Sequence, residues 1–314
     1  MSANAAVTAA VIPARANGER AHHTRLVFGY VLAISLIVGL AIYGFSYYTL
    51  SSADRPFSPK HALLKPSGPI GVKLGFLGMA MFFAIFLYPL RKLSPWLARQ
   101  GSSRHWLDIH VLLGLAAPFV IAFHSAFKFR GFAGMAFWIM VAVSLSGIIG
   151  RYLYAQIPRS LNAAELSMKE LQDVQDRLAQ QLAQQNLLPQ TDLRSLFRFP
   201  SAEKVAKLPM VVALCYMMAL DLARYFRVAK LRRHALSAGG TLTTLGGFLS
   251  TRHRALEKAI TAAREEAATA KRVLFLGRSQ QVFHLWHVVH KPFSYTFALL
   301  AIFHIVVVMM MGFF

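Results

Sequence analysis

Cysteine is nearly missing: Cys215 is the only one in 314 residues. A lone cysteine excludes a disulfide within the chain and any cysteine-ligated iron–sulfur cluster that the chain would build by itself. It reads as a small buried apolar side chain. Acidic residues are scarce as well, 13 against 34 lysines and arginines, which leaves a formal charge of +21. Such a surplus raises nucleic acid as a partner. In a chain this apolar the plainer reading is loops held in the cytoplasm and facing anionic lipid, with no nucleic acid involved. No Gly-x-Gly-x-x-Gly dinucleotide fingerprint occurs anywhere.

Apolar residues are plentiful. They make up 56% of the chain, and mean hydropathy is +0.46. Crossing a bilayer core takes about 20 apolar residues in a helix. Five stretches qualify, at 26–48, 70–90, 106–127, 131–156 and 283–314. The expected fold class is therefore an all-α integral membrane protein, a five-span helical bundle. Its expected parts are an N-terminal segment (1–25), spans one to four (26–156), a large helical insert (157–282) and span five (283–314). The first apolar run exceeds a signal-peptide core and follows a polar start, so it reads as an uncleaved anchor despite the small residues near Ala53.

Arg91, Lys92, Arg99 and Arg104 fill the loop between spans two and three, and Arg151 and Arg159 open the net basic segment at the end of span four. Placing both in the cytoplasm puts the N-terminus there and Phe314 outside, as expected for a bacterial inner (plasma) membrane. Arg55, Lys60 and Lys65 then sit on the wrong side of the rule. Within the insert, "AAELSMKELQDVQDRLAQQLAQQ" and "STRHRALEKAITAAREEAATAKRVL" read as amphipathic helices, the second capped by Ser250 or Thr251. The glycine-rich "SAGGTLTTLGG" separates them. The stretch at 208–226 is apolar but is interrupted by Asp221, and reads as an interfacial or packed helix. If it crossed, span five would reverse.

The chemistry lies in the histidines. His110 and His124 of span three are 14 residues apart, and so are His290 and His304 of span five. Fourteen residues is close to four helical turns, so each pair shares a face with its members about 21 Å apart. Ionisable residues within a span are costly and mark function. Two helices that each present two stacked imidazoles suit two planar haems with axial histidines. Zinc wants clustered ligands, and the Glu-x-x-His motifs of a di-iron site are missing. With spans three and five parallel, His110 pairs with His290 and His124 with His304. His124 lies close to the end of its span while ten residues follow His304, so the third helix is expected to continue through "SAFKF" or the fifth to tilt. Arg104, Arg151 and Lys291 could meet propionates at the inner level, and Lys128 and Arg130 at the outer. His105, His284 and His287 read as solvated edge residues. Gly75, Gly78, Gly134, Gly147 and Gly150 would let a ring approach the backbone.

At the two histidine pairs the chain resembles the membrane dihaem cytochromes b. That superfamily includes the cytochrome b of quinol-oxidising complexes and the ferric reductase and NADPH oxidase transmembrane domain. The resemblance covers about 70–156 and 283–314. It implies two non-covalent b-type haems ligated by His110, His124, His290 and His304. Without Cys-x-x-Cys-His, covalent haem is not expected. A flavin or nicotinamide domain after the last span, as the ferric reductases and NADPH oxidases have, is not expected, and no "PEW"-type quinol motif is present. The expectation is a subunit that carries electrons across the membrane to or from a flavin or iron–sulfur partner. The alternative is a stand-alone quinone-linked reductase of ferric chelate, oxygen or superoxide. A proton path without haem is the non-redox reading.

Overall fold

The computed structural model describes residues 3–157, 199–235, 244–251 and 253–312. Among them every regular element is helical, and five helices are long and apolar enough to cross a membrane. The first predicted insert helix and most of the glycine-rich break lie outside the described residues. The chain divides into two compact units, residues 1–149 with 289–314, and residues 150–288.

The helices of the first unit are α1 (Ala3–Tyr48), α2 (His61–Leu64), α3 (Pro69–Leu90), α4 (Pro95–Ala98), α5 (Ser103–His124) and the greater part of α6 (Gly131–Gln156). α1 begins far ahead of residue 26, because its polar start continues the same helix as the span. Outward faces remain apolar, with Phe28, Leu32, Ile42, Leu299 and Val306 all exposed. Such faces match lipid, so burying them gains nothing and close packing has to hold the helices together. α3 and α5 show how. Gly75 and Gly78 line the contact, and a Cβ on Gly78 would lie 2.3 Å from Ile121 Cδ1. Leu74, Met81, Ala116, Ala117, Val120 and Phe123 fill the core between them.

Ser102 caps α5 by accepting from the His105 amide. The helix stops at His124 and does not continue through "SAFKF", since Ala126 and Phe127 adopt positive φ (49° and 58°). Ala126 is fully buried beside Tyr47 and Leu64. Arg55, 7% exposed, explains the turn. Its guanidinium donates to Leu50 O (3.1 Å), to Tyr48 O (2.9 Å) and to the Ala126 carbonyl. Lys60 Nζ donates to Tyr43 O at 2.6 Å and lies over the Tyr43 ring. Two of the three basic residues that fit the loop rule badly are thus spent on carbonyls at helix ends, where cations are favoured.

The second unit contains α7 (Ala202–Lys207), α8 (Met210–Ala235), α9 (Arg254–Leu274) and the start of α10 (Leu276–Met310), which begins ahead of residue 283. α8 holds residues 210–226 of the 208–226 stretch and is not among the candidate spans. It buries Ala213, Met217 and Leu220, then Val228 and Leu231. Cys215 falls on the opposite face and is exposed, contrary to the sequence expectation. Asp221 accepts from Lys271 Nζ (2.5 Å) and from the Tyr152 hydroxyl (2.7 Å). The charge that interrupts α8 is therefore the centre of a polar network, which a packed helix accommodates. α9 buries Leu256, Ile260, Ala263, Ala267 and Ala270 at helical spacing. Its cap is His253, whose Nδ1 accepts from Leu256 N at 3.2 Å, and not Ser250 or Thr251. Thr251 is used one step earlier, where its amide donates to Glu257.

Candidate functional site

His110 and His124 are half-buried on α5, and each is bonded through Nδ1 to a carbonyl of α3. His110 Nδ1 lies 3.0 Å from Ile85 O, and His124 Nδ1 lies 2.8 Å from Gly71 O. Ile85 and Gly71 are themselves 14 residues apart in reverse order, so the antiparallel α3–α5 register serves both rings with one spacing. A carbonyl can only accept, so each ring donates Nδ1–H and keeps its lone pair on Nε2.

Each bond has a local cause. The Ile85 carbonyl would normally take the amide four residues on, but that residue is Pro89, which has no N–H. His110 fills the vacancy. For His124 the cause is Gly75: a Cβ there would lie 2.8 Å from His124 Cε1 and 3.0 Å from Nδ1. The glycine admits the imidazole itself, one turn from the carbonyl that holds it. A second proline, Pro118, likewise frees the Gly114 carbonyl, and the Ser144 hydroxyl takes it at 2.8 Å.

On α10, His290 Nδ1 lies 2.7 Å from Ser146 Oγ on α6. That hydroxyl gives its hydrogen to Val143 O at 2.8 Å, so it accepts from His290, which again leaves the Nε2 lone pair. His304, further along α10, is half-buried. Among the described residues His304 alone of the four has no hydrogen-bond partner. Phe297 and Phe303 pack α10 against Phe82 and Phe132.

Of the other expected residues, Arg104 and Lys291 are exposed, as are Lys128 and Arg130. Arg151 and Gly150 belong to the second unit, where Trp286 stands against Gly150. His287 Nδ1 turns back to Phe283 O at 3.3 Å. Gly147 faces open space, and Gly134 packs on Phe129. His105 is not a plain edge residue. It stacks on His22 at 3.6 Å, and His22 Nε2 reaches the buried Asp108 carboxylate at 3.2 Å. Asp108, two residues before His110, was not singled out in the sequence, although a carboxylate inside a span signals function. Among the described residues no three His, Cys, Asp or Glu side chains converge on a metal position. Comparison of the chain with family models, curated proteins and solved structures returns no match.

Proposed function

We propose that the chain is a dihaem b-type membrane cytochrome that carries electrons across a bilayer as one subunit of a larger oxidoreductase. The observation behind this reading is the histidine set: two pairs at 14-residue spacing, with three rings fixed through Nδ1 so that Nε2 keeps its lone pair. Two imidazoles would be enough to hold such a group with no third donor, and a histidine with its other N–H tied to a carbonyl or hydroxyl would be oriented to do so. The residues present fit the group. Haem, when bound, supplies an iron that gains and loses one electron at a time.

The chain's own part is to hold the imidazoles and exclude water. Ile85 O, Gly71 O and Ser146 Oγ hold His110, His124 and His290 in one tautomer. Leu74, Met81, Val120 and Phe123 keep the α3–α5 contact dry. Arg104 and Lys291, both of the first unit, are the inner-level cations offered to propionates. The surplus of +21 would steer an acidic flavin or iron–sulfur partner to the cytoplasmic face. The inner membrane with a cytoplasmic N-terminus is the setting proposed.

The test is a reduced-minus-oxidised visible spectrum of the purified chain with haem counted per polypeptide. Two non-covalent b haems are expected, and one fewer in His124→Ala or His304→Ala. A colourless chain that stays colourless when supplied with haem overturns the reading.

A further inference from the structure

The second unit encloses a cavity of about 330 Å³ between α8 and α9, and its lining carries three arginines against one carboxylate. The cations are Arg224, Arg232 and Arg264, the carboxylate is Asp221, and Tyr225 and Phe248 offer their rings at the edge. The charge is poorly balanced from within. Asp221 Oδ2 is committed to Lys271 and Tyr152. Arg224 Nη2 stands 3.0 Å from Asp221 Oδ1 as an ion pair, yet it makes no hydrogen bond, although it is buried. Arg232 is satisfied by Glu257 at 2.8 and 2.9 Å. Arg264 has no carboxylate partner among the described residues and only rests over the Tyr225 ring at 5.8 Å. Burial opposes the Arg224 charge, Asp221 supports it, and Arg264 opposes it again. A fold that crowds two under-partnered guanidiniums into a hollow gains from an anion there.

The kind of anion follows from the donors. Guanidinium forks match the oxygens of a phosphate in pairs, and Arg is favoured over Lys where that geometry matters. The volume is at the lower end of the roughly 300–1,000 Å³ of small-molecule sites, which leaves room beside the phosphate for an organic group against Tyr225 and Phe248. We propose that this cavity binds a phosphate monoester, with Arg224 and Arg264 as its principal contacts. The monoester is carried either by a soluble metabolite or by a lipid headgroup. The site is independent of the haem reading, since it uses none of its residues.

The test uses the full-length chain in nanodiscs and follows its unfolding temperature. In one arm, nanodiscs of phosphatidylcholine alone are titrated with phosphate and pyrophosphate, with chloride at equal ionic strength as the control. In the other, phosphatidic acid replaces a tenth of the lipid. A saturable rise of several degrees in the first arm assigns a soluble ligand. A rise confined to the second assigns the lipid headgroup. In both cases Arg264→Gln is expected to weaken apparent affinity at least tenfold, with Arg264→Lys in between. Because Arg264 meets only a ring, these variants should fold, and their ligand-free unfolding temperatures check it. No rise in either arm, an equal rise with chloride, or a rise undiminished in Arg264→Gln overturns the proposal.

Discussion

Replacing Gly75 with alanine separates the packing role of this position from its role at the histidine. The new Cβ would sit 2.8 Å from His124 Cε1, about 0.7 Å inside the roughly 3.5 Å that two carbons accept. The ring must retreat from α3 by that amount. The same helix carries the Gly71 carbonyl, so the 2.8 Å bond stretches to about 3.5 Å, beyond hydrogen-bond range. The lost bond costs about 1 kcal/mol, and alanine regains about 1 kcal/mol over glycine in a helix. Stability should therefore hardly change. On the proposed dihaem reading ligation should change, because removing the group that orients a ligand histidine costs on the order of 10–100-fold in metal affinity. The assay is a haem titration of the purified variant with difference spectra, run beside a thermal unfolding scan. One haem weakened and one retained is expected, with the unfolding temperature nearly that of the parent. Gly147→Ala is the control, since a Cβ there meets nothing within 4 Å; it should keep both haems and gain stability. If Gly75→Ala binds both haems as the parent does, or loses both, the account of this ring is wrong.

Two further predictions concern the second unit. Asp221→Asn leaves Lys271, 2% exposed, without its anion, and a buried charge so stranded costs about 3–5 kcal/mol. Asp221→Asn combined with Lys271→Met should recover most of that loss in a double-mutant cycle of unfolding temperatures, and additive losses would show that the pair is not coupled. Burial of Glu257 works to raise its pKa, but bonds from Arg232 and Thr251 and the Arg232 charge outweigh it, so its carboxyl titrates below the usual 4.5. The unfolded chain then binds the proton more readily. Glu257 stabilises the fold fully above about pH 4.5, and that contribution is lost as pH falls through its lower folded-state value. Glu257→Gln should flatten this part of the acid limb in a pH series of thermal scans, and an unchanged limb would refute the assignment.

Composition and periodicity were enough to read an all-helical chain with five apolar helices, because lipid demands long uninterrupted apolar runs and a helix satisfies its own backbone. The 14-residue histidine spacing was legible for the same reason: positions on one helix are related by arithmetic alone. What holds those histidines was not legible. The Ile85 carbonyl is available because Pro89 follows it by four, and the Gly71 carbonyl is within reach because Gly75 lacks a side chain, but both facts matter only once α3 lies antiparallel against α5 in one register. Asp221 looked like a break in an apolar run until Lys271 and Tyr152 came to it from 50 and 69 residues away. Cys215 looked buried because cysteines often are, yet the face of α8 that packs is the one bearing Ala213, Met217 and Leu220. Spacing along one helix is a local property of the sequence, whereas a hydrogen-bond partner or a buried face depends on which helices meet and in what register, and only the tertiary structure decides that.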